Sequence, residues 1–152
     1  MPNEAMNIDM EMQAQMENLP AWLEAVSSEA HRLGFEEKRI REIELALEEA
    51  LVNVVSYAYD EPGGMVRIST FIDEAHSFWC IQIIDEGKPF DIASAGEPDL
   101  DAPLSERQIG GLGVYLIRKL MDDVCYERMG SRNVLTLSVK LPGGTQAMGK
   151  GR

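Results

Sequence analysis

The spacing of apolar residues changes period along the chain, and the order of those changes is the strongest constraint on the fold. Residues 6–14 alternate strictly: Met6, Ile8, Met10, Met12 and Ala14 share one face, and Asn7, Asp9, Glu11 and Gln13 share the other. A period of two marks a half-buried strand. The period then lengthens to that of a helix over residues 18–33. Asn18 followed by Leu19-Pro20 makes a helix start, because proline is tolerated in the first turn, and Gly34 supplies the stop. A second, longer helix is expected over residues 36–59, ended by the break Asp60-Glu61-Pro62-Gly63-Gly64. Strand-like runs follow over 65–73 and 77–85. Residues 88–109 contain three prolines and no convincing period, so they are expected to form a long loop. A helix over about 111–121 and strands over 124–129 and 133–141 complete the chain.

The order β-α-α-β-β-loop-α-β-β separates helices from strands. It implies an α+β, two-layer sandwich: a mixed, mostly antiparallel sheet covered on one face by helices, unlike the alternating βαβ units of a dinucleotide-binding domain. With 152 residues, a single domain over 6–141 is expected, with a small, polar, flexible tail over 142–152.

Charge narrows the function. The 26 acidic and 14 basic side chains leave a net charge of −12, which disfavours binding to nucleic acid through a basic patch. No apolar stretch is long enough to span a membrane, and the acidic N-terminus does not read as a secretory signal, so a cytoplasmic location is expected. Cys80 and Cys125 both sit in apolar strand-like runs and are expected to be reduced core residues.

Three constellations carry possible chemistry. On the second helix, Ile40, Ile43, Leu47, Ala50, Leu51, Val54 and Ala58 form the apolar stripe expected to face the sheet. Glu42, Glu49, Asn53 and Ser56 gather on the opposite flank. Glu49 and Asn53 are four apart and therefore neighbours, whereas Glu48 lies about 140° away from Asn53. A carboxylate beside an amide suits a general base next to a magnesium ligand, and it equally suits a plain solvated face. Second, a strand ends at Asp85, with Gly87, Pro89 and Phe90 close behind. An aspartate there can accept a hydrogen bond from an exocyclic amine, and a glycine lets the backbone approach a flat ligand; a capped turn would look the same. Third, Gly110-Gly111-Leu112-Gly113 opens a helix, an arrangement that binds phosphate or serves as a hinge. Neither the P-loop nor the dinucleotide fingerprint is matched.

Taken in order, Glu49-Ala50-Leu51-Val52-Asn53, Asp85-x-Gly87-x-Pro89-Phe90 and Gly111-Leu112-Gly113 resemble the N, G1 and G2 boxes of the GHKL (Bergerat) ATP-binding fold. Ala58-Tyr59, the Gly-Gly-Leu-Gly-x-x-Leu-Ile run, Leu120-Met121-Asp122 and the strand from Arg132-Asn133 are closer to one branch. They resemble the anti-sigma-factor serine/threonine kinases of bacterial partner-switching systems. The resemblance covers about residues 6–141. It implies Glu49 as general base toward a serine hydroxyl and Asn53 as the Mg²⁺ ligand. It also implies Asp85 on the adenine amine, with Gly87 and Pro89 beside the base. Phosphates would be cradled by Gly110, Gly111, Leu112 and Gly113, and Arg107, the only arginine of the long loop, is the candidate for the γ-phosphate. The chain departs from many relatives at Tyr57, where a histidine is usual.

The implied substrate is a STAS-type anti-anti-sigma protein, the wider partner a sigma factor or other effector, and the implied assembly a homodimer, for which the Met-rich first strand is a candidate edge. Phosphorylation adds about −2 charge, so a phosphorylated antagonist is expected to be repelled by this acidic chain. The rival reading is a catalytically silent or nucleotide-free protein that sequesters its partner stoichiometrically. A sensor histidine kinase would need a phosphoacceptor histidine. His31 lacks the usual acidic neighbour and proline, and His76 sits in a hairpin turn.

Overall fold

The computed structural model of the chain describes residues 7–89 and 111–143. Its elements are β1 (Asp9–Gln13), a 3₁₀ turn (Met16–Asn18), α1 (Leu19–Arg32), α2 (Glu37–Asn53), a π-helical turn (Val54–Ala58), β2 (Met65–Ile72), β3 (Phe78–Asp85), α3 (Gly111–Leu120), β4 (Asp123–Met129) and β5 (Arg132–Lys140). The five strands form one sheet in the order β1-β2-β3-β5-β4, and every described pairing is antiparallel. Met6, residues 90–109 of the expected loop, and the tail from residue 144 lie outside the described residues.

Local chemistry explains the element ends. Asn18 does not cap α1 with its side chain; its Nδ2 instead donates to the Gln13 carbonyl at 2.8 Å and closes the turn out of β1. At the other end Gly34 has φ +93°, its N–H donates to His31 O at 3.0 Å, and Phe35 N–H donates to Ala30 O at 3.2 Å. These two bonds satisfy carbonyls the helix leaves open, in the manner of a Schellman motif, and Phe35 is buried beside Trp79 with ring centroids 5.7 Å apart. Arg39, near the start of α2, donates to Leu120 O at 2.6 Å and to Asp122 Oδ2 at 3.0 Å. A cation is thereby placed at the C-terminus of α3.

The second helix departs from expectation. Its α-helical part stops at Asn53, and residues 54–58 continue as a π turn before Tyr59 becomes extended. Three of the four residues 52–55 are valines, whose branched Cβ crowds the preceding turn and weakens the α-helix there.

The helices cover one face of the sheet. Trp22, Val26, Ile40, Ile43, Leu47 and Leu51 from α1 and α2 pack against Ile68, Trp79, Ile81, Ile83 and Leu137 from the strands, all under 2% exposed. The expectation for the cysteines holds for Cys80 and fails for Cys125. Cys80 is buried and its burial pushes the thiol pKa up, but Cys125 is exposed. On edge strand β4 it is Val124 and Tyr126 that turn inward, so Cys125 falls on the open face opposite Thr136. Both cysteines are free thiols.

The Nε1–H of Trp79 is buried and donates to no partner among the described residues. Truncation to alanine removes the whole ring and should cost about 3–5 kcal/mol. Trp79→Phe removes the unsatisfied N–H while keeping much of the ring, so it should cost less than half as much. Urea unfolding midpoints of the two variants test this, and equal losses would contradict it.

Candidate nucleotide site

Helix α2 brings Glu49 and Asn53 together one turn apart, both half-buried, with Glu48 directed to solvent. Asn53 and the π turn that follows it line a cavity of about 270 Å³. Ala50, Val54 and Ala58 form one apolar wall, Ile83 and Leu135 of the sheet another, and Ile117 of α3 adds to them. The polar groups are Asn53 at one side and Asp85, Asn133, Tyr126 and Lys88 at the other, with Pro89 at the rim. Tyr57, 43% exposed, also lines the opening.

Asp85 is the last residue of β3 and continues the inward phase of Trp79, Ile81 and Ile83, which is why it is only 5% exposed. A carboxylate so placed requires donors. Its Oδ1 accepts from the Gly87 N–H at 2.8 Å and from Asn133 Nδ2 at 2.8 Å. Its Oδ2 accepts no hydrogen bond among the described residues.

The turn after Asp85 is held at each successive amide. Glu86 N–H donates to the Tyr59 hydroxyl at 2.8 Å, Gly87 N–H to Asp85, and Lys88 N–H to Ala58 O at 2.8 Å. Gly87 O accepts from Arg128 Nη1 at 2.8 Å, and Lys88 O from Asn133 Nδ2 at 2.8 Å. Gly87 is obligatory here: a Cβ on it would lie 2.2 Å from the Ala58 carbonyl oxygen. The Tyr59 hydroxyl in turn donates to Met65 O at 2.6 Å, and burial raises the phenol above its ordinary pKa, so it stays neutral through the physiological range.

The third constellation arrives beside the first. Gly111 and Leu112 open α3, and Gly113 packs so closely on α2 that a Cβ would stand 2.7 Å from Glu49 Oε1. The Glu49 carboxylate therefore lies beside the first turn of α3, at the positive end of its dipole. Arg107 and Gly110 lie outside the described residues.

Reading the sequence did not assign roles to Asn133, Tyr126, Arg128 or Tyr59. One signal was present for Asn133: it is the polar residue on the same inward phase as Leu135, Leu137 and Val139. Arg128 and Tyr126 carry no comparable local mark.

Residues 12–139 match the family described as histidine kinase-like ATPase domain. The chain belongs to that family. It is 37% identical over 121 residues to the serine-protein kinase RsbW of Halalkalibacterium halodurans, covering 77% of this chain and 73% of that one. It is 34% identical over 122 residues to the serine-protein kinase RsbW of Oceanobacillus iheyensis, covering 77% and 76%. These similarities place it among the RsbW-type kinases of the family. Among solved structures, the RsbU and RsbW domains of a Mycobacterium tuberculosis protein share the fold with a TM-score of 0.62 and 14% identity. That match covers 90% of this chain, and this chain spans about a third (32%) of that one. A histidine kinase domain from Erythrobacter litoralis shares the fold with a TM-score of 0.53 at 18% identity, covering 84% of this chain and 62% of that one.

A Cβ at Gly87 would clash with backbone, which cannot step aside as a side chain can. Gly87→Ala should therefore displace the turn and weaken ATP binding by tenfold or more. A Gly87→Ala protein that binds ATP within about twofold of wild type, measured by calorimetry, would show that the turn does not meet the nucleotide.

Proposed function

We propose that this chain binds Mg-ATP in the cavity between α2, α3 and the sheet. It transfers the γ-phosphoryl group to a serine or threonine of a STAS-type anti-anti-sigma protein, so controlling capture or release of a sigma factor or other effector in the cytoplasm. The observation that carries this reading is Asp85: a buried carboxylate beside an apolar cavity, with one oxygen held by two donors and the other without a donor among the described residues. An acceptor in that position suits the 6-amino group of adenine, and the apolar walls suit the flat ring. Pro89 and the close approach permitted by Gly87 complete the base side.

The chemistry falls at the other end. Among the described residues no group of three or more His, Cys, Asp or Glu side chains could hold a metal ion; Mg²⁺ would have the Asn53 amide oxygen as a protein ligand, with phosphate and water oxygens beside it. Bound there, the ion would neutralise phosphate charge. Glu49 takes the proton of the acceptor hydroxyl as its oxygen bonds to the γ-phosphorus and the bond to ADP breaks. The open N–H groups of Gly111, Leu112 and Gly113 at the start of α3 favour phosphate, with Gly110 and Arg107 assigned to the same end. A phosphorylated partner would leave because it adds about −2 charge against a chain at −12. Self-association through the free edge of β1 belongs to the same reading.

Two variants separate a kinase from a stoichiometric binder. Glu49→Gln should lower the phosphorylation rate by about 10²- to 10⁴-fold while leaving the ATP Kd within about threefold. Asn53→Ala should lose the magnesium-dependent part of ATP binding in calorimetric titration. Undiminished transfer by Glu49→Gln would remove the base assignment, and a wild type that binds ATP without any transfer would favour sequestration.

A further inference from the structure

Arg128 stands out among the cations of the sheet. Its guanidinium makes no ion pair among the described residues, and Nη1 donates to two oxygens, Gly87 O of the base turn at 2.8 Å and Asn133 Oδ1 of β5 at 3.1 Å. The Tyr126 hydroxyl reaches the same Asn133 Oδ1 at 2.5 Å. On its other side, Asn133 Nδ2 donates to Asp85 Oδ1 and to Lys88 O. We infer that Arg128, on edge strand β4, is a positioning residue for base selection, acting by fixing which way the Asn133 amide faces Asp85.

The reasoning is one of donors and acceptors. Reversing the amide would set its oxygen against two acceptors, Asp85 Oδ1 and Lys88 O, and its NH₂ group against Arg128 and Tyr126. A tyrosine hydroxyl can rotate and accept from that NH₂; a guanidinium only donates. On the side of Tyr126, Arg128 is therefore the contact that opposes the reversed amide, as Asp85 Oδ1 and Lys88 O oppose it on the other. With the amide held, Asp85 Oδ1 keeps both of its donors and the carboxylate keeps its orientation, leaving Oδ2 directed to the ligand. Without it, the carboxylate loses a donor and its fixed direction, and the cavity loses the means to prefer an amino group to a carbonyl at purine position 6. Charge-assisted hydrogen bonds of this kind are stronger than neutral ones and cost more to lose.

This inference rests on the nucleotide reading of the cavity. The test is calorimetric titration of the full chain, in the presence of Mg²⁺, with ATP and with inosine triphosphate, which carries a carbonyl in place of the 6-amino group. Wild type should prefer ATP. Arg128→Met should weaken ATP binding about tenfold and inosine triphosphate binding less than threefold, so that the preference shrinks. Arg128→Lys, again a donor only, should restore most of the preference. Arg128→Gln, which can present an acceptor, should lose it as Met does. An ATP preference unchanged in Arg128→Met, whether both affinities hold or both fall alike, overturns the inference while the nucleotide site stands. Failure of Lys to restore it does the same. A wild type that binds neither nucleotide overturns the site reading and the inference together.

Discussion

The double hydrogen bond to Asp85 Oδ1 organises the rest of the site. A carboxylate only 5% exposed at the end of a central strand would be costly unless its charge were met by donors. The two it has come from different directions: Gly87 N–H from its own turn and Asn133 Nδ2 from the neighbouring strand. Because both converge on one oxygen, the other accepts no hydrogen bond among the described residues. The same Asn133 amide also holds Lys88 O, and Ala58 O holds Lys88 N–H, so the turn that follows Asp85 has little freedom to move. Recognition of a flat base needs that rigidity, since a carboxylate free to rotate would present either oxygen and discriminate poorly.

The elements themselves were legible wherever periodicity and turn chemistry act locally. The strands expected over 65–73 and 77–85 are found at Met65–Ile72 and Phe78–Asp85, and Gly34 ends α1 as a left-handed glycine should. Glu49, Asn53, Asp85, Gly87 and Gly113 could be named because each sits in a short motif whose residues are close in sequence. What the local pattern does not contain is pairing. Asn133 becomes a partner of Asp85 only because β5 lies beside β3 in a register that sets the two opposite each other. Arg128 reaches Asn133 through the next pairing outward. Phase on an edge strand is likewise ambiguous when both faces carry apolar residues, and this is how Cys125 came to be expected in the core.

The interior shows a division of work between its two ends. Away from the cavity the sandwich is filled by large apolar side chains, with Trp22 and Trp79 burying indole nitrogens that have no partner among the described residues. Toward the cavity, the Asn133 amide meets donors at its oxygen and acceptors at its nitrogen, and Asp85 Oδ1 is met by two donors. An unsatisfied indole N–H reduces stability slightly and evenly; an unsatisfied carboxylate would reduce it greatly and locally. The polar satisfaction is concentrated where direction matters, and the packing tolerates small losses where only volume matters.

The π turn at Val54–Ala58 is what lets one segment serve both ends of the cavity. Asn53 and Glu49, assigned to phosphate chemistry, belong to the regular part of α2, whereas Ala58 O belongs to the base turn through Lys88 N–H. A regular α-helix advances about 100° per residue and would carry Ala58 well round the axis from Asn53. The wider π turn advances less per residue, so Asn53, Val54, Tyr57 and Ala58 all line the one cavity. Branched valines weaken the α-helical alternative at the point where the wider turn is needed, and the bonds from Lys88 N–H to Ala58 O, from the Tyr59 hydroxyl to Met65 O and from Glu86 N–H to the Tyr59 hydroxyl close it off. The separation of the Asp85 turn from Asn53 and Glu49 is thus set by a local irregularity in one helix, held in place by the turn that it positions.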